Sequence, residues 1–221
     1  MLDILYEDNH LIAVNKKSGD IVQGDKTGDA PLSDFVKAYI KKKYKKPGEV
    51  FLGTIHRLDR PTSGIVLFAR TSKALSRMNE QFRNKEVQKT YWAVVEKSPP
   101  KDTDTLENYL NKNQKQNKSY VVKESNGKQA ILRYKLLKKL DNFYHLEIKP
   151  ESGRHHQIRV QLAHVGCIIK GDLKYGAKRS NKDASIHLLA QKLEFIHPVQ
   201  KEALTIIAKP PKDNIWDACY L

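Results

Sequence analysis

His56-Arg57-Leu58-Asp59-Arg60-Pro61-Thr62-Ser63-Gly64 runs directly into Ile65-Val66-Leu67-Phe68-Ala69. The second stretch is an unbroken apolar run of strand length, rich in β-branched and aromatic side chains, and reads as a strand buried on both faces. The first reads as a loop. Pro61 biases Arg60 toward an extended backbone, and Thr62, Ser63 and Gly64 favour a turn. Asp59 is thus presented on a stiff loop between regular elements. Arg57 and Arg60 flank it with charge that attracts phosphate and favours the ionised carboxylate. The residue types alone favour a structural Asp-Arg pair tying down a turn over a catalytic carboxylate.

On the N-terminal side, Ile4-Leu5-Tyr6 and Leu11-Ile12-Ala13-Val14 are short apolar runs around Glu7-Asp8-Asn9-His10, a β-hairpin pattern. A Gly- and Asp-rich loop over residues 19–29 leads to a helix over residues 31–44. There Leu32, Val36 and Ile40 recur at fourfold spacing, and Phe35 and Tyr39 widen the same apolar face. That helix ends in the run Lys41 to Lys46 and stops at Pro47-Gly48. The lysines read as a solvated helix end, where cations suit the dipole. On the C-terminal side, Ser72 is placed to cap a helix through Leu75, Met78 and Phe82. Further strands are predicted over residues 90–96, 119–123, 130–140, 143–148, 186–195 and 204–208, with Asp141-Asn142 as a tight turn. The polar tract 111–118 offers nothing to bury and reads as a mobile loop. Many strands and few helices predict an α+β fold: a mixed, largely antiparallel sheet with flanking helices, in one domain spanning residues 1–221. No internal repeat is visible.

Composition bounds the function. Lys and Arg number 40 against 25 acids, a formal charge of +15, which points to a polyanionic partner or to a lysine-rich solvated surface. The sequence contains no uninterrupted apolar segment of spanning length, and its start, Met1-Leu2-Asp3-Ile4, lacks a signal-peptide pattern, so an untargeted cytoplasmic protein is expected. Cys167 and Cys219 lie far apart and form no metal-type pair, so neither a disulfide framework nor a zinc ribbon is suggested.

The second informative constellation is Gly153-Arg154-His155-His156-Gln157-Ile158-Arg159-Val160-Gln161-Leu162-Ala163-His164-Val165-Gly166. Ile158, Leu162 and Val165 recur at helical spacing, and Gly166 suits a left-handed helix end. On such a helix His155 and Arg159 share a face, one turn apart. A metal site drawn from His155, His156 and His164 is disfavoured, because adjacent histidines on a helix point apart and no acid or thiol lies within the run. Hydrogen-bonded histidines fit better.

These two segments together resemble the RluA-type family of RNA pseudouridine synthases. His56-Arg57-Leu58-Asp59 followed by Thr62-Ser63-Gly64 is similar to the family's central motif, Lys89-Thr90-Tyr91 to its aromatic motif, and Gly153 to Val160 to its late motif. Gly171-Asp172 with Tyr175-Gly176, and Phe195-Ile196-His197-Pro198, resemble weaker signatures, and the similarity runs through nearly the whole chain in order. His155 stands where Thr or Ser is commoner, and Leu189 where relatives often carry histidine. Many relatives also have an S4-type RNA-binding domain upstream, for which this chain has no room before Ile4.

The resemblance implies isomerisation of uridine to pseudouridine in ribosomal or transfer RNA stem-loops, without metal or cofactor, by a protein expected to be monomeric. It implies Asp59 as the catalytic carboxylate, Tyr91 stacking on the extruded base, and Arg159 pairing with Asp59. His56, Arg57, Thr62, Arg154, His156 and Gln157 are the implied substrate-binding residues, with Arg57 filling the gap left by the base. The rival expectations are an RNA-binding module without turnover and a metal-dependent nuclease built around His155 and His156.

Overall fold

A computed structural model describes residues 2–24 and 28–220. The predicted loop 19–29 therefore lies partly outside the described residues. The chain forms two compact units, one comprising the chain through Gln88 with Ala190–Pro210, the other Lys89–Leu189 with the segment from Pro211 onward.

The first unit opens with the expected hairpin, β1 (Ile4–Glu7) and β2 (Leu11–Lys16), paired antiparallel. Helix α1 (Leu32–Lys43) follows, then the two-residue β3 (Gly53–Thr54), β4 (Ser63–Ala69) and helix α2 (Ser72–Arg83). Its sheet runs β1-β2-β4 and continues into β10 (Leu188–Ile196), while β11 (Ala203–Ile207) pairs with β10 and β3 with β4. Every residue of β4 is buried, as its unbroken apolar run predicts. Val66 and Phe68 pack with Leu32, Val36 and Ile40 of α1 in one core. Gly64 is forced by this packing. Its φ is +113°, and a Cβ there would lie 2.3 Å from the Ala190 carbonyl oxygen.

Two local expectations are corrected in this unit. Phe35 is 54% exposed rather than part of the buried stripe. The cap of α2 is Thr71, whose side chain accepts from the Ala74 N–H at 3.2 Å, and Ser72 is the first helical residue. Lys41 to Lys46 are exposed, as expected of a solvated helix end, and the Lys43 ammonium in addition lies 2.7 Å from Glu7, which also accepts from Tyr39 and Tyr44 and so ties α1 to β1.

The second unit is an antiparallel sheet in the order β5 (Gln88–Val95), β9 (Tyr144–Pro150), β8 (Lys128–Lys139), β6 (Thr103–Asn113), β7 (Lys118–Val122). Helix α3 (Gln157–His164) and the C-terminal α4 (Asn214–Tyr220) complete it. The expected loop 111–118 is corrected at its ends: β6 runs through Asn113 and ladders onto β7 from Lys118, which leaves only Gln114, Lys115, Gln116 and Asn117 as the turn between them. Little is buried there, with only Leu106 and Leu110 of β6 below a tenth exposed, but neighbours on both sides satisfy the strand's backbone. Such a strand carries no apolar alternation to announce it. Leu140 N–H donates to Phe143 O at 2.9 Å, closing the tight Asp141-Asn142 turn as expected. The α+β, largely antiparallel character is borne out. Among the described residues no helix is long and apolar enough to cross a membrane.

Candidate active site

The candidate residues of the first unit gather on the loop between β3 and β4. The Thr62 N–H donates to the Asp59 carbonyl at 3.0 Å, so Arg60 and Pro61 form the centre of the turn, ahead of the Thr62 to Gly64 position expected. Three further bonds pin it. The Arg60 carbonyl accepts from Gly19 N–H at 2.9 Å and from the Lys16 ammonium at 3.0 Å, and the Pro61 carbonyl accepts from the Ser18 hydroxyl at 3.2 Å. Lys16 is 1% exposed and also donates to its neighbour's carbonyl, Lys17 O, at 2.8 Å. Burial lowers its pKa from 10.5 to about 8, while Asp20 and Asp59 oppose that fall. A desolvated cation thus anchors the turn by its backbone and sits in the field of Asp59, which is itself half-buried.

His56 is turned inward. Its Nε2 accepts from the Leu67 N–H at 3.1 Å, which leaves the ring proton on Nδ1, and the ring stacks on Phe82 at 5.3 Å. Thr62 is 2% exposed, with no hydrogen-bond partner for its Oγ1 among the described residues. Arg57 is exposed. Arg60, next to Asp59 in the chain, places its Nη2 2.7 Å from Asp29 Oδ2.

In the second unit the candidates surround the start of α3. His156 is the N-cap with φ 54°, so the helix begins at Gln157 and His155 precedes it. The shared helical face of His155 and Arg159 is therefore not formed. Nor do the two imidazoles point apart; they stack at 3.8 Å. Each is hydrogen-bonded, His155 Nδ1 to Ser119 Oγ at 2.8 Å and His156 Nδ1 to the Tyr175 hydroxyl at 3.0 Å. Burial, reinforced by Arg159, pushes the His156 pKa down to about 2, so that ring is neutral. Gln157 is a clamp: its Oε1 accepts from Arg154 N–H at 3.0 Å and Ser152 Oγ at 2.8 Å, and its Nε2 donates to Ile131 O at 3.0 Å. The exposed Arg154 guanidinium reaches back through Nε to Gln129 O at 3.0 Å.

Arg159 is buried and held from two directions. Its Nε and Nη2 bind Asp172 Oδ2 and Oδ1 at 2.7 and 2.8 Å, a bidentate pair with side-chain exposures of 5% and 1%. The Tyr175 ring lies 5.2 Å from its Cζ. Tyr91 is partly buried on β5 opposite Ile148 and packs against the core of this unit.

Within the first unit the structure gathers His56, Arg57, Asp59 and Thr62 on one loop; within the second it gathers Arg154, His156, Gln157 and Arg159 around one helix start. Lys16, Ser119 and the pairing of Asp172 with Arg159 were not drawn from the sequence. A lysine at the end of a strand that opens on four apolar residues, Leu11 to Val14, was the available signal for Lys16. Among the described residues no group of three or more His, Cys, Asp or Glu side chains is arranged to hold a metal ion.

A family model described as RNA pseudouridylate synthase matches residues 10–164. The chain is 33% identical, over 95% of its length, to an RNA pseudouridine synthase of Synechocystis described as uncharacterized, 66% of which it covers. It is 33% identical to ribosomal large subunit pseudouridine synthase D of Xylella fastidiosa, over 96% of the chain and 67% of the relative. With ribosomal large subunit pseudouridine synthase C of Vibrio cholerae the identity is 34%, over 93% of the chain and 64% of the relative. The chain thus spans about two thirds of the length of these relatives. In fold it is similar to human RNA pseudouridylate synthase domain containing 4, with a TM-score of 0.80 and 24% identity over 98% of this chain and 91% of that one.

Proposed function

We propose an activity from one premise: the chain belongs to the RNA pseudouridylate synthase family. The activity is isomerisation of uridine to pseudouridine in RNA, with large-subunit ribosomal RNA as the first substrate, the class named for two of its relatives. The observation that carries it is the Asp59 turn, a carboxylate whose backbone is fixed by its own turn, by Gly19 and by a buried ammonium. Rigid presentation of one acid suits the chemistry. The bond between ribose C1′ and uracil N1 must break, the base must rotate, C1′ must bond to C5, the C5 hydrogen must leave as a proton, and N1 must take up a proton. Atoms and electrons balance without oxidant, reductant or water, so this chemistry requires no cofactor.

Asp59 acts either by attacking ribose C1′ as N1 leaves, to be displaced when C5 bonds there, or by removing the C2′ proton to give a glycal and returning it when C5 adds to C1′. The target base leaves its stack at a cost of roughly a few kcal/mol, less in looped RNA. Stacking on Tyr91 offsets about 1–3 kcal/mol of that cost. Arg159 pairs with Asp59, a role supported by the resemblance of the two motifs and by the way Asp172 and Tyr175 fix the guanidinium plane. Among the binding residues, Arg57 and Arg154 are exposed and meet the RNA directly. Thr62, His56, His156 and Gln157 shape the loops that do so, the last three through their internal hydrogen bonds.

The test is tritium release from RNA carrying uridine labelled at C5, with large-subunit ribosomal RNA and transfer RNA as separate substrates. Release from the ribosomal RNA is the expected result. Release from transfer RNA alone would move the substrate, and binding without release from either would leave only a turnover-free RNA-binding module.

A further inference from the structure

We propose that Lys89, with the open space beside Gly153, is a seat for an RNA backbone phosphate adjoining the nucleotide whose base stacks on Tyr91. The inference rests on the Tyr91 stacking role given above and adds an interaction that role does not require.

Lys89 lies on β5 two residues before Tyr91, and Thr90 between them is buried. Side chains alternate along a strand, so Lys89 and Tyr91 share a face, separated by roughly 6.7 Å of rise. That is the scale on which a nucleotide's base and its phosphate are offset. The Lys89 side chain is partly buried, and desolvation alone lowers its pKa. Among the described residues its ammonium has neither an ion pair nor a hydrogen bond. A desolvated charge without a counter-ion is unfavourable, and an arriving anion relieves it. The surroundings leave room. A Cβ built on Gly153 would meet only one atom within 4 Å, the Lys89 Nζ at 4.0 Å. The glycine therefore fronts the ammonium without filling the space, and Arg154 follows it with a second cation on the exposed side.

An isolated lysine that merely keeps the strand end soluble would not need this gap. A bound phosphate would use it, and would fix the sugar on the same face as the stacked base. In orientation it complements the Asp59 chemistry, while in binding it is independent of it.

The experiment measures the salt dependence of binding to an in vitro transcript of large-subunit ribosomal RNA, for the full chain and for Lys89→Gln, Lys89→Arg and Gly153→Asp. Removing one lysine–phosphate interaction lowers the slope of log K against log salt by about 0.7 for single-stranded RNA, or roughly five-fold in affinity near 0.1 M salt. Lys89→Gln should show that decrease, and Lys89→Arg should not. Gly153→Asp supplies an internal carboxylate to Lys89 and should lower the slope at least as much, with little further decrease when combined with Lys89→Gln. That second variant reads the same interaction if Lys89→Gln fails to fold. An unchanged slope and affinity in folded Lys89→Gln or Gly153→Asp overturns the proposal. Because binding is read without turnover, a lowered slope in a protein that releases no tritium would retain the phosphate seat and reject the isomerase. Tritium release with an unchanged slope would do the reverse.

Discussion

Replacing Lys16 with Met probes the anchor of the Asp59 turn. The substitution keeps an unbranched side chain in the strand but removes both donors, leaving the Lys17 and Arg60 carbonyls without the ammonium. Each hydrogen bond from a charged donor contributes about 1.5–3 kcal/mol. Against this stands the cost of holding a charge at 1% exposure. The drop in pKa from 10.5 to about 8 corresponds to about 3 kcal/mol of differential interaction between the charged and neutral forms. Near neutral pH the two effects largely offset, and Lys16→Met should destabilise by no more than about 3 kcal/mol.

The pH dependence separates them. Between about pH 8 and 10.5 the unfolded chain holds the Lys16 proton while the folded chain has released it, so stability rises with pH in the wild type and not in the variant. The gap in Tm should therefore widen by roughly 6–12 °C between neutral pH and about pH 10, at about 2–4 °C per kcal/mol for a chain of this size. Circular dichroism melts of both proteins across that range are the assay. A second readout is kcat, which should fall on the order of 100-fold as the turn loosens by about 1 Å. A gap that stays constant with pH would refute the buried, desolvated lysine, and full turnover in the variant would refute its role as the anchor.

Asp172→Ala should remove both carboxylate acceptors of the bidentate, buried pair with Arg159, costing about 3–5 kcal/mol, read as a drop in Tm of roughly 6–20 °C; a drop of no more than a degree or two would show that the pair is not desolvated. His145 is 2% exposed, neither ring nitrogen has a hydrogen-bond partner among the described residues, and burial lowers its pKa from 6.5 to about 4. Unfolding then takes up a proton between those values, so stability is lost as pH falls from about 6.5 through 4, by up to about 3 kcal/mol. His145→Phe should be at least as stable near neutrality and should flatten that acid limb in pH-dependent melts; an unchanged limb would assign it to other groups.

The elements most legible in the sequence are those in which burial leaves a period. β4 announced itself because both its faces are covered, and α1 because Leu32, Val36 and Ile40 face one core. β6 did not, since its strand is held by ladders on both sides while most of its side chains face water. The helical pattern of Ile158, Leu162 and Val165 identified α3 but not its start, which is set by the left-handed backbone at His156, a conformation rarely adopted by a non-glycine residue. That one dihedral undid the expected alignment of His155 with Arg159 and brought the two imidazoles together. The candidate residues were legible as types and motifs. Their supports were not, because Lys16, Ser119 and Asp172 act across separations of 44, 36 and 13 residues in bonds that no local pattern encodes.

The central claim is that the Asp59 carboxylate performs the isomerisation, and the Asp59→Asn variant tests it most directly. Mass spectrometry of carbodiimide-labelled large-subunit ribosomal RNA, after incubation with wild type or with variant, counts pseudouridine formed by each. The wild-type reaction should give a labelled pseudouridine and the variant none, with RNA binding and melting temperature little changed. Appreciable pseudouridine formed by a folded, RNA-bound Asp59→Asn protein would contradict it.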